Sequence, residues 1–136
     1  MIDAENLIFS KIAAVLRAAY SGIFVTGENV AAPSSFPAVS IVEADNSLYA
    51  RTKDLAGNEN HSVLMYEINC YSNLSSGKKA QCKSIMALVD TEMQKLGFVR
   101  VGRSPMELPN ADVSKYRMNA RYRGVISKTG AIHKIT

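Results

Sequence analysis

Four cations recur at alternate positions late in the chain, Lys115, Arg117, Arg121 and Arg123, with Asn119 in the gap. In an extended strand, alternate side chains leave the same face about 7 Å apart, so these four form a line of positive charge. Two readings are open. Period-2 polarity is the ordinary mark of a solvated outer sheet face. The same line could instead meet a polyanion or an acidic protein surface, which arginine suits through its bidentate fork. Strand geometry alone does not separate DNA from protein.

Catalytic chemistry finds little support. The eight glycines are scattered, and none forms a phosphate-cradling GxGxxG or GxxxxGK[ST] loop. His61 and His133 are the only histidines, and neither has a second ligand at metal spacing. Cys70 falls on the apolar side of its segment, and so does Cys82. Both read as small buried hydrophobes rather than nucleophiles. Carboxylates stand singly, with no pair that spacing would set face to face for acid–base work. The residues therefore point to no catalytic group, no metal and no cofactor, and to work done by contact with other macromolecules.

Two further groups bear on contact. Arg51, Lys53, Asp54, Asn58, Glu59 and Asn60 lie in or beside a polar, glycine-bearing stretch with no apolar pattern. It reads either as a tolerated insertion or as a mobile loop that orders on assembly. Val63, Met65 and Tyr71 share one strand face that an isolated sheet would leave partly wet, so another element or another chain, a second copy included, could cover it.

The elements that must position these groups follow from periodicity. Residues 3–20 carry a helical stripe of Leu7, Ile8, Ile12, Val15, Leu16 and Ala19, with Asp3 as N-cap and Gly22 as the left-handed stop. Short strands are expected at 23–26, 38–43 and 48–52, with a turn at Asp45-Asn46. A long strand spans 61–72, facing Leu64, Tyr66, Ile68 and Cys70 one way. A second helix spans 77–96, with Ser75 or Ser76 as cap, Gly97 as stop and Cys82, Ile85, Met86, Val89, Met93 and Leu96 as its stripe. Then come a strand at 98–101, a loop at 104–112 holding Pro105 and Pro109, and a strand at 113–126 that turns Tyr116, Met118, Ala120 and Tyr122 away from the cations. Residues 131–135 suit an edge strand. Half-polar strands favour an α+β fold: a mostly antiparallel sheet with two main helices packed on one face and a long hairpin loop.

Length and composition agree. A chain of 136 residues fits one domain, 1–136, and its 47% hydrophobic content supports a packed core. The net charge of +4 is mild for a dedicated nucleic-acid binder. Two cysteines make no disulfide framework, and early charges at Asp3, Glu5, Lys11 and Arg17 interrupt any signal-like or membrane-spanning run. These features read as a chain kept in a reducing cytosol, so the triplets Asn60-His61-Ser62 and Asn73-Leu74-Ser75 are chance matches to a glycosylation acceptor.

The order of several segments is similar to that in the tail-terminator, or tail completion, proteins of long-tailed bacteriophages. The likeness runs essentially the full length. It is carried by Met1-Ile2-Asp3-Ala4-Glu5-Asn6, by Gly22-Ile23-Phe24-Val25-Thr26-Gly27-Glu28 and by Ala32-Pro33-Ser34-Ser35-Phe36-Pro37-Ala38-Val39-Ser40-Ile41-Val42-Glu43-Ala44-Asp45-Asn46. Met65-Tyr66-Glu67-Ile68-Asn69-Cys70-Tyr71-Ser72-Asn73, Ser76-Gly77-Lys78-Lys79 and Tyr116-Arg117-Met118-Asn119-Ala120-Arg121-Tyr122-Arg123 complete it. None of these is a catalytic motif.

The resemblance implies a structural virion protein at the tail–head junction, made in the bacterial host cytoplasm. It implies a homo-oligomeric ring, usually a hexamer, that stops tube polymerisation and docks onto the head connector. Its partners would be copies of itself, the tail tube protein and the connector protein, with DNA passing through the lumen without sequence-specific binding and no membrane involved. On that footing the basic line would face the lumen or a neighbouring subunit, and the 53–60 loop the tube or connector. Another head–tail joining or neck subunit, and a small DNA-binding module, remain alternatives.

Overall fold

The structure is a computed structural model that describes residues 5–28, 33, 35–48, 61–108, 115–127 and 132–133. The first helix, α1 (Glu5–Ala19), buries Ile8, Ile12, Ala13 and Leu16, the i, i+4, i+5, i+8 set that makes one helical face. The predicted stripe is wider than the buried one: Leu7 is 44% exposed and Ala19 lies outside the core. The helix ends as predicted, with Gly22 at φ 78° and the Tyr20 N–H donating to the Leu16 carbonyl at 2.8 Å. The proposed N-cap, Asp3, lies outside the described residues.

The strands are β1 (Phe24–Thr26), β2 (Ala38–Leu48), β3 (His61–Ser72), β4 (Val99–Leu108), β5 (Tyr116–Ser127) and β6 (Ile132–His133), with α2 (Lys78–Leu96) between β3 and β4. They form a six-stranded sheet in the order β1-β2-β3-β5-β4, with β6 also paired to β5. Every pairing is antiparallel except β1 with β2, which makes the sheet mixed. Because β5 inserts between β3 and β4, α2 must cross the sheet to join them. Its stripe of Cys82, Ile85, Met86, Val89 and Met93 is buried there. Both helices share one core with Val39, Ile41, Leu64, Tyr66, Ile68, Tyr116, Met118, Ala120 and Tyr122, so they cover a single face of an α+β fold.

Three expectations are corrected. The strand expected at 38–43 does not stop there but runs on to Leu48, because a bulge at Ala44 shifts the register between Glu43 and Asp45 without breaking the ladder. Asp45-Asn46 is therefore not a turn, and 49–52 lies outside the described residues. The loop expected from Ser104 is strand as far as Leu108. Its register with β5 shifts between Val101 and Met106, around Pro105, which has no N–H to give a ladder. Finally, α2 begins on Gly77 in the left-handed region, φ 83°, with no side-chain cap from Ser75 or Ser76. Its far end follows expectation: Gly97 is left-handed, φ 101°, and the Phe98 N–H reaches the Met93 carbonyl at 2.9 Å.

Candidate functional site

The site is built on the face of β3 and β5 turned away from α1 and α2. On β5 the alternation is as read from the sequence: Tyr116, Met118, Ala120 and Tyr122 turn into the core, leaving Arg117, Asn119, Arg121 and Arg123 on the other side. The antiparallel register sets Arg117 opposite Tyr71, Asn119 opposite Asn69, Arg121 opposite Glu67 and Arg123 opposite Met65. Each cation on β5 thus faces a defined neighbour.

A polar network results. Asn69 Oδ1 accepts from Arg117 Nε at 3.2 Å, Arg117 Nη2 at 3.1 Å and Asn119 Nδ2 at 3.0 Å. Asn119 Nδ2 also donates to Glu67 Oε1 at 3.0 Å, and Glu67 Oε2 pairs with Arg121 Nη2 at 3.5 Å. The Arg117 guanidinium lies 5.6 Å from the centre of the Tyr71 ring, and Lys115 Nζ lies 5.2 Å from that of Phe36. Asn69 and Asn119 are buried, and Ser40 beside Asn69 is buried with its Oγ unpartnered among the described residues.

The cations divide accordingly. Arg117 is half-buried and held by Asn69, while Arg121 is exposed and shares its charge with Glu67. Arg123 lies across from Met65 with no carboxylate partner among the described residues. The ridge carries Lys115, Arg117, Arg121 and Arg123, with Glu67 paired to Arg121 and Asn69 holding Arg117, so it is anchored rather than loose. Of the three residues expected on a partly wet face, Val63 and Met65 are half-buried, as read. Tyr71 is not: Arg117 lies over it and only 4% is exposed, so a neighbouring copy would meet Arg117 first. Burial raises the Tyr71 phenol above its ordinary value, and the Arg117 charge offsets part of this.

β2 and β3 pair antiparallel, with Leu48 opposite Ser62. Arg51, Lys53, Asp54, Asn58, Glu59 and Asn60 all lie outside the described residues.

On the helix side, α2, β4 and β5 border a cleft of about 300 Å³ lined by Lys83, Met86, Ala87, Asp90, Arg100 and Met118. Asp90 Oδ1 accepts from the Tyr122 hydroxyl at 2.9 Å and pairs with Arg100 Nε at 3.2 Å, while Oδ2 accepts from Gln94 Nε2 at 2.8 Å. Burial, then the bond to Asp90, raises the Tyr122 phenol far above its ordinary value, so it stays a neutral donor. This cluster ties helix to sheet with its polar atoms turned on one another. The sequence offered one signal for it: a tyrosine among core positions needs a partner for its hydroxyl. Nothing in the spacing named Asp90.

Among the described residues no three His, Cys, Asp or Glu side chains gather at metal-binding distance, and no helix is long and apolar enough to cross a membrane. Neither a scan against protein-family models nor a search of curated proteins found a match to this chain.

Proposed function

We propose that this chain is a structural subunit that assembles with copies of itself into a ring at the end of a long-tailed phage's tail tube. There it stops tube growth and joins the tail to the head connector, with DNA passing through the lumen. It works by contact, not catalysis. The supporting observation is the sheet face turned away from α1 and α2, where β5 presents Arg117, Arg121 and Arg123 on a scaffold of the kind the resemblance implies. A ridge held by Asn69 and Glu67 suits a fixed lumen wall or subunit contact, since its side chains are ordered before the partner arrives.

The test is solution mass by light scattering with negative-stain images of the same fractions, followed by addition of the protein to growing tail tubes. A closed ring of hexamer mass that halts tube growth is the expected result. A monomer that neither closes on tube ends nor limits their length would overturn the reading. Charge reversal at Arg121 and Arg123 is expected to impair ring closure or particle assembly; if both survive intact, the ridge has no such role. Binding to free duplex DNA that weakens steeply with salt would instead favour a DNA-binding module, since phosphate contacts release counterions.

A further inference from the structure

The two cysteines of the chain lie on different elements, Cys70 on β3 and Cys82 on α2. Folding brings their sulfurs to 3.5 Å, with both side chains fully buried and reduced. Two buried thiols in sulfur–sulfur contact stand about 1.5 Å short of a disulfide bond length. We propose that Cys70 and Cys82 are a reversible dithiol–disulfide pair, closed by a small two-electron oxidant of the peroxide class, that locks the start of α2 onto β3.

The chemistry is balanced within the pair. Cys82 sulfur attacks a hydrogen peroxide oxygen, breaking the O–O bond to give the Cys82 sulfenic acid and water. Cys70 sulfur then attacks the Cys82 sulfur and expels hydroxide, which takes the Cys70 proton and leaves as a second water. The two sulfurs together lose two electrons, and the peroxide gains them. Cys82 is the natural first nucleophile. Its hydrogen bond from Cys70 holds its thiol below the ordinary value, while the same contact and burial push Cys70 well above it.

Access comes through the start of α2. Cys82 sits within the first two turns, after a left-handed Gly77 with no side-chain cap and a first turn with no acidic residue. Lys78 and Lys79 there oppose the positive end of the helix dipole. A hydrogen bond between Ser72 and Gln81 at 2.5 Å ties that end to β3, and a helix terminus opens more readily than the buried middle of the helix. Only a small oxidant can enter, and the reaction should run slower than at an exposed thiol.

The test treats the reduced full chain with hydrogen peroxide under native conditions, then alkylates it in denaturant and reads the intact mass. The expected product is monomeric, about 2 Da lighter, resistant to alkylation and restored by dithiothreitol. Its melting temperature should rise by roughly 5 °C or more, because the cross-link removes entropy from the unfolded chain. Two alkylated thiols after treatment that fully oxidises free cysteine would overturn the proposal. So would adducts of about 32 Da or disulfide-linked dimers, since either means the sulfurs react separately. Because the reading uses the unaltered protein, misfolding of a cysteine variant does not affect it.

Discussion

At the scale of single residues, the most consequential side chain on the sheet's outer face is Asn69, whose carbonyl oxygen receives three donors from Arg117 and Asn119. Removing it strands a half-buried guanidinium and leaves the buried Asn119 amide with Glu67 as its remaining acceptor. Asn69→Ala is therefore expected to destabilise the fold by about 2 kcal/mol, read as a fall in the denaturation midpoint at unchanged slope. Since Asn119 shares that oxygen, the double variant Asn69→Ala/Asn119→Ala should cost less than the sum of the two singles. Arg121→Ala should cost under about 1 kcal/mol, because the Arg121 side chain is more than half exposed and its 3.5 Å pair with Glu67 is screened by solvent. The Lys115-to-Arg123 line was legible in the sequence because strand alternation is local. Its anchoring was not, since Asn69 and Arg117 are 48 positions apart and only the β3–β5 register makes them neighbours.

At the scale of elements, both helices carry an apolar stripe in the sequence, but their ends follow different rules. The stop of α2 needs only Gly97 and its backbone, whereas its start needed a side chain that the structure does not use. Gly77 instead takes a left-handed conformation, with open space where a side chain would begin. Gly77→Ala is expected to cost about 1 kcal/mol through backbone strain alone, and Gly77→Asn less, because asparagine tolerates that region. Thermal unfolding of the two variants checks this, and equal losses would point to packing instead. In β2, the bulge at Ala44 carries the strand past polar residues that read as a turn. A bulge stretches a strand beyond its apolar alternation because the partner's ladder, not local propensity, holds the chain extended.

At the scale of the whole molecule, the sheet has two unlike faces, and each buries a tyrosine. Tyr122 faces the helices and Tyr71 lies under Arg117 on the other side, with both phenols raised by burial. The unfolded chain releases these protons near pH 10. The folded chain releases them later, so it binds more protons in that range. Stability is then fully present below about pH 10 and is lost as pH rises through the folded values. Denaturant midpoints measured from about pH 8 to about pH 11.5 should fall at the alkaline end, and Tyr122→Phe should flatten that fall. An unchanged slope in the variant would mean that another group carries the alkaline loss. The same two-faced design turns the cationic side away from α1 and α2, which is where the proposed ring contacts would form.

What the sequence determined by itself were features set by near neighbours: two helices and their glycine stops, the inward set of β5, the cationic line opposite it and the α+β class. Those features are written in periods of two and 3.6 residues, which need no knowledge of the rest of the chain. Only the tertiary structure decided the parallel placement of β1, the passage of β4 through Pro105, the burial of Tyr71, the Asp90–Tyr122 tie and the meeting of Cys70 with Cys82. Each of these is a pairing between distant segments. Its partner is chosen by strand register and by where α2 crosses the sheet, and neither is encoded in the spacing of residues along one element.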